Sequence, residues 1–262
     1  MDHSLASYES LFWALILTVP RLLVATTLIP FLSRQTLPAT MVKNGVIISF
    51  SLILLPTMQS FNVYEVGYIQ TSFFLLKEMF IGLLLGFLAA IPFWAIEGVG
   101  FFIDNQRGAT LAEILNPLTG SETSSMGILL NQAATAIFVT SGGLLGLLGL
   151  IYSSYVVWPI LDPLPHLSLG KSLFFTSQLD FMMMLIVVLA APVIITMFLS
   201  EFCFALVNRF AQQLNVFILA MPVKSAIALS ILIVYLPSLF YFLDRYRQSF
   251  PETLRQLIHV LS

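Results

Sequence analysis

The chain has 262 residues, of which 58% are hydrophobic and 9% charged, and its mean hydropathy is +0.96. A soluble domain carries about 25% charged residues, so 13 acidic and 11 basic side chains cannot cover a water-soluble globule of this size. The 23 phenylalanines exclude a disordered chain, the net charge of −2 argues against nucleic acid as a partner, and the single Cys203 rules out an internal disulfide.

Charge-free runs organise the rest. Residues 10–33 form one apolar stretch broken only by Arg21, followed by 44–64 and 79–96. A long run covers 123–161, another 181–200, and a last one, 210–243, is interrupted only by Lys224. A hydrocarbon core of about 30 Å takes roughly 20 helical residues to cross. Solidly apolar runs exclude the alternating pattern of a β-barrel. The expected fold is an all-α polytopic membrane protein with six to seven long apolar helices. Pro20, Pro30, Pro92, Pro192 and Pro237 predict that several are broken or kinked. Arg34 and Lys43, and later Arg245, Arg247 and Arg255, favour the cytoplasmic side. Asp2 and Glu9 at the start lean outward, so an odd number of crossings is needed. Six blocks give that only if one is split or fails to cross, and 123–161 is long enough to be split. The start has no positive region of the kind that opens a cleavable signal peptide.

Three polar features stand out. Residues 97–125 carry Glu97, Asp104, Asn105, Gln106, Arg107, Glu113, Asn116 and Glu122, and read as a polar linker between N-terminal helices (1–96) and C-terminal helical hairpins (126–262) of a single domain. If helical, Asp104 and Arg107 are spaced to pair, which at an exposed site contributes a few tenths of a kcal/mol. In the 123–161 run, Ser124, Asn131, Thr135, Gly142, Gly146 and Gly149 fall on one face of a continuous helix. Gly142 with Gly146, and Gly82 with Gly86, are small-xxx-small pairs. They read as helix packing within the chain or against another subunit, and the glycines of 142–149 are equally compatible with a helix break. Near the C-terminus, Asn208, Gln212 and Asn215 share a face, with Arg209 and Gln213 beside it. Met221-Pro222-Val223-Lys224 follows, and the residue before a proline favours extended geometry, so a turn is expected near Met221. A hairpin tip at the membrane surface, with Arg209 and Lys224 snorkelling, is one reading.

Catalytic chemistry is missing from the pattern. His3, His166 and His259 lack metal-ligand spacing, and Gly170-Lys171-Ser172 lacks the earlier glycine of a P-loop. No nucleophile elbow is present. Cys203, between Phe202 and Phe204, reads as an inert core thiol. No catalytic residue, metal or cofactor is expected, which leaves a transport or channel subunit or a membrane scaffold.

Phe101-Phe102-Ile103-Asp104-Asn105-Gln106-Arg107-Gly108-Ala109, then Asn116-Pro117-Leu118 and Gly120, resembles a signature of the FliR/SctT family of flagellar and type III secretion export gates. So does Asn208-Arg209-Phe210-Ala211-Gln212-Gln213-Leu214-Asn215-Val216-Phe217 followed by Met221-Pro222-Val223-Lys224. The first motif is closer to the injectisome branch. Gln212 departs from the pattern, since many relatives carry proline there. The resemblance implies a non-enzymatic export-gate subunit of the bacterial inner membrane, packed with R-type and S-type partners in a helical assembly partly held above the bilayer plane. It further implies contact with the U-type switch protein, the inner-membrane ring, membrane lipid and unfolded secreted substrates. Asp104, Asn105, Gln106, Arg107, Gly108, Asn208, Arg209, Gln212, Gln213, Asn215, Met221, Pro222 and Lys224 are then candidate gate or subunit contacts. Ser124, Asn131, Thr135, Gly142, Gly146 and Gly149 form the candidate packing seam.

Overall fold

A computed structural model describes residues 2–30, 40–58, 67–109, 124–162, 172–210 and 216–261. The described residues are helical apart from short turns, with no strand. Among the described residues, seven α-helices run in the order α1 (Asp2–Leu28), α2 (Thr40–Leu52), α3 (Tyr68–Arg107), α4 (Ser125–Thr140), α5 (Gly143–Val157), α6 (Ser172–Phe210) and α7 (Val216–Leu261). A 3-10 turn, Leu55–Met58, follows α2. An all-helical chain is what apolar runs require, since each backbone N–H and C=O then pairs within its own segment.

Among the described residues, three stretches are long and apolar enough to cross a membrane: Ile69–Arg107, Leu173–Phe210 and Leu219–Tyr246. The bent pair α4 and α5 makes a fourth if counted as one span. Among the described residues α1 and α2 add two shorter apolar helical stretches, Phe12–Leu28 and Met41–Leu52, to these three or four spans. The 123–161 run is indeed split: Gly142 sits in the left-handed region at φ 81° and starts α5. The face projected across that run is therefore not one continuous face.

The chain forms two compact units, Met1–Ile91 with Gly142–Phe175 and Ser249–Ser262, and Pro92–Ser141 with Thr176–Gln248. In the first unit, Leu17, Phe74 and Ile160 form a buried cluster, with Trp13, Leu75 and Tyr155 packed against it. Here Gly82 and Gly86 bring α3 onto α1. A Cβ on Gly82 would overlap the Arg21 carbonyl oxygen, and one on Gly86 would lie 2.6 Å from the Ala25 carbonyl oxygen. This small-xxx-small pair is an intramolecular seam. Gly146 and Gly149 have nothing within 4 Å of the corresponding position, so they pack against nothing in the described chain. The hydroxyls of Thr18 and Thr26 donate back to the Ala14 and Leu22 carbonyls, which satisfies them inside an apolar helix.

In the second unit, Phe93 of α3 meets Phe138 of α4 edge-on at 5.2 Å between ring centroids, and Phe181 of α6 stacks on Tyr246 of α7. These outer helices leave much apolar surface open. Within its most apolar window α3 is 72% buried, but α6 is 39% and α7 only 22%. Cys203 is exposed on α6, contrary to its reading as a core thiol.

The seam fixes an expected outcome. Gly86→Val should drive α1 off α3 and lower the thermal midpoint of the detergent-solubilised chain, at an overpacking cost of about 1–3 kcal/mol. Gly146→Ala should leave that midpoint unchanged or raised. Circular dichroism melts on the two variants check this.

Candidate functional site

The polar residues of the second unit converge. Helix α3 does not end where its charges begin: Glu97–Arg107 form its last three turns, not a solvated linker. Gly108, at φ 81°, closes the helix, and its N–H donates to the Asn105 carbonyl at 3.1 Å. Asp104 is 2% exposed. One of its carboxylate oxygens accepts from Arg107 Nε at 2.8 Å. The other accepts from Ser124 Oγ at 2.7 Å and from the Met126 backbone N–H at 3.0 Å. Ser124 is the N-cap of α4, and its hydroxyl oxygen also accepts from the Gly127 N–H at 2.8 Å.

The carboxylate therefore sits at the positive end of the α4 dipole with three donors on it. It ties the last turn of α3 to the first turn of α4. The predicted Asp104–Arg107 pair exists, but it is buried rather than exposed. Close backbone approach makes this possible: a Cβ on Gly100 would collide with the backbone of Met126 and Gly127.

Two turns back along α3, Glu97 accepts from Asn131 Nδ2 of α4 at 2.8 Å. Asn131 and Thr135 are both buried on α4. At the other edge of the cluster, Lys224 of α7 pairs with Glu201 of α6 at 2.6 Å, and Gln106 Nε2 donates to the same carboxylate oxygen at 3.4 Å. Lys224 is thus buried and paired rather than snorkelling. Met221 lies near Gly108, with its side chain 3.6 Å from where a Cβ would stand. The turn expected at Met221 is absent there, since α7 begins at Val216 and runs straight through Met221-Pro222. The preference of a pre-proline residue is weak enough for a continuing helix to override it.

Of the sequence-predicted residues, Asp104, Gln106, Arg107, Gly108, Ser124, Asn131, Met221 and Lys224 thus meet in this unit. Asn105 is exposed on α3, Pro222 on α7, and Asn208 and Arg209 on the last turn of α6. Gln212, Gln213 and Asn215 lie outside the described residues. Among the described residues no group of three or more His, Cys, Asp or Glu could hold a metal. The arrangement clamps helices; it presents no activated nucleophile.

The sequence of residues 12–250 matches the family of bacterial export proteins, family 1. The chain belongs to this family. It is 43% identical to Yop proteins translocation protein T of Yersinia pestis over 219 residues, 84% of each chain. It is 35% identical to secretion system apparatus protein SsaT of Salmonella typhimurium over 237 residues, 86% of this chain and 88% of that one. Flagellar biosynthetic protein FliR of Bacillus subtilis is 27% identical over 256 residues, 96% of this chain.

This export-family chain also holds a second polar cluster, in its first unit, which the motifs did not single out. Arg21 of α1 and Glu78 of α3 are both 0% exposed. Arg21 Nε donates to Glu78 at 2.6 Å and Nη2 to the other carboxylate oxygen at 2.9 Å. Arg21 also donates to Ser154 Oγ at 3.0 Å and to the Trp158 carbonyl at 2.9 Å. Its guanidinium lies 3.9 Å from the Tyr155 ring centroid. Lys77 stands 3.3 Å from Glu78 and donates to the carbonyls of Pro159, Ile160 and Asp162 at 2.7–2.9 Å. Those carbonyls follow the C-terminus of α5, where cations are favoured. The signal was available: a lone arginine inside an apolar run, and a Lys-Glu pair directly before another, each need a partner at depth.

The Asp104 clasp is testable by hydrogen exchange. Asp104→Asn should speed exchange at the first turn of α4, Met126 above all, and cost about 1–3 kcal/mol through the lost charge-assisted bonds. Exchange in α5 should stay as it was. Unchanged protection at Met126 would contradict the clasp.

Proposed function

We propose that this chain is an export-gate subunit of a type III protein secretion apparatus, forming part of the inner-membrane entrance channel for unfolded secreted proteins. The observation that carries the reading is its 43% identity over 84% of each chain to a translocation protein of the Yop proteins. The lower identity to the flagellar relative, 27%, favours the injectisome branch over the flagellar one. The role is passive. The chain closes a ring of subunits and lines part of a pore, while energy enters elsewhere, and it is not an enzyme.

Physical features fit such a role. Helices α6 and α7 carry exposed Phe198, Leu199, Phe202, Ile233 and Val234, which need lipid or neighbouring subunits to cover them. R-type and S-type subunits are the proposed neighbours, with the U-type switch protein and the inner-membrane ring beyond them. The Asp104–Gly108 segment and the Asn208–Lys224 segment are the proposed contacts that seal or open the channel. The first is anchored by the clasp, and the second ends on Lys224, buried and paired with the more exposed Glu201. The Gly146–Gly149 face of α5, open among the described residues, is a proposed subunit contact.

The test is co-expression with the neighbouring R-type and S-type genes, purification in mild detergent and native mass spectrometry. A single large complex containing one copy of this chain is expected. A lone monomer or homodimer that never captures those partners would contradict the reading and favour an autonomous transporter.

A further inference from the structure

Most charged groups of the second-unit cluster are neutralised by a partner of opposite sign. Asp104 has Arg107, and Glu201 has Lys224. Glu97 is different. It lies on α3 between Ala95, Ile96 and Val99, all buried, within a helix long and apolar enough to cross a membrane. Among the described residues no cation pairs with it. Its one described partner is neutral, the Asn131 side chain, whose Nδ2 donates to one carboxylate oxygen at 2.8 Å.

Asn131 carries the second observation. It is 5% exposed, and its Oδ1 is buried with no hydrogen-bond donor. A buried acceptor left without a donor costs about 1–3 kcal/mol. An amide therefore faces an unneutralised carboxylate and offers an acceptor with nothing to accept. Reversing the amide does not help, because two acceptors would then confront each other. The helices cannot simply part, because a Cβ on Gly127 would stand 3.0 Å from the Glu97 carbonyl oxygen, so the backbones touch at this level.

One ligand resolves both deficits. We propose that Glu97 and Asn131 form a proton-binding site. A proton delivered by hydronium adds to the free carboxylate oxygen, forming an O–H bond and releasing water, and the local charge goes from −1 to zero. The acid O–H donates to Asn131 Oδ1, while the acid C=O keeps the bond from Nδ2. The result is a cyclic acid–amide pair with every polar atom satisfied. A metal cation fits less well, since hard cations take a shell of roughly six or more oxygens. Here two side chains supply three, one of them already bonded to Nδ2. The charged groups nearest along α3, Asp104 and Arg107, are committed to each other and to α4, and Gln106, Glu201 and Lys224 are committed among themselves. From α6, the side chain at Gly98 is the apolar Ile186.

The full-length chain, with whatever subunits copurify, is reconstituted in lipid for infrared spectroscopy and melted in detergent across mildly acidic to mildly alkaline buffers. The native protein should carry a protonated-carboxyl C=O band that shifts in heavy water and disappears in Glu97→Gln. Because the folded state would hold a proton that the unfolded state releases, stability should fall as pH rises through the titration. Glu97→Gln, whose amide reproduces the cyclic pair, should lose that dependence while keeping the acidic-pH midpoint. Asn131→Ala should keep the band but move it to the position of a weakly bonded acid. That variant decides the matter if Glu97→Gln does not fold, since an unmoved band would assign the acid to another carboxyl. No band, with Glu97→Gln as damaging as Glu97→Ala, would mean the charge itself is needed and would overturn the proposal. So would a midpoint raised by sodium chloride but not by choline chloride, which would make the ligand a metal cation.

Discussion

An apolar chain can bury a charge only if it also brings the partner, and the Arg21–Glu78 pair enforces that rule here. The two residues are 57 positions apart, fully buried, and joined by two hydrogen bonds. Removing one member of such a pair typically costs about 3–5 kcal/mol, because the other charge is then stranded. Helix α1 therefore has one register on α3 that satisfies its arginine. Gly82 and Gly86 let the backbones close at that register, and Ser154, Tyr155 and the Trp158 carbonyl bring α5 to the same point. The ion pair selects the arrangement and the small residues allow it.

The second unit obeys the rule with different parts. Asp104 is neutralised by an arginine one turn on and by the start of another helix, and Lys224 finds Glu201. With Asp104 and Lys224 buried, the unit turns apolar side chains outward on α6 and α7. That division fits a subunit whose outer contacts are with lipid and other apolar helices, and whose polar contacts fix the ends of its own. The clasp at Asp104 lies in the Phe101–Ala109 motif through which the chain resembles its family, and it joins the end of α3 to the start of α4.

Much of this was legible in the sequence. Apolar runs gave the helices, the glycines of 142–149 marked a break, and the i, i+3 spacing of Asp104 and Arg107 foretold their bond. The misplaced charges share one physical cause. A charge at the edge of an apolar run suggests the end of a helix, but a charge with a polar partner at depth does not end one. Lys77, Glu78, Glu97, Asp104 and Arg107 all lie within the single helix α3. For the same reason a snorkelling Lys224 is one of the readings its local sequence allows, while its partner Glu201 lies one helix away. Pairings across tens of residues depend on which helices meet, and no local spacing encodes that. The seam through Gly142, Gly146 and Gly149 failed differently: a helical face was projected across a break that resets its phase.

The Arg21–Glu78–Lys77 cluster holds two cations and one anion, so its members are not equivalent. Without Arg21, Glu78 still has Lys77 at 3.3 Å; without Glu78, two buried cations lose the anion they share. A double-mutant cycle on Arg21→Met and Glu78→Met, read as thermal midpoints of the purified full-length chain, measures this directly. The account predicts that Glu78→Met is the more damaging single change and that adding Arg21→Met to it restores part of the loss. Equal single effects that simply add would contradict it.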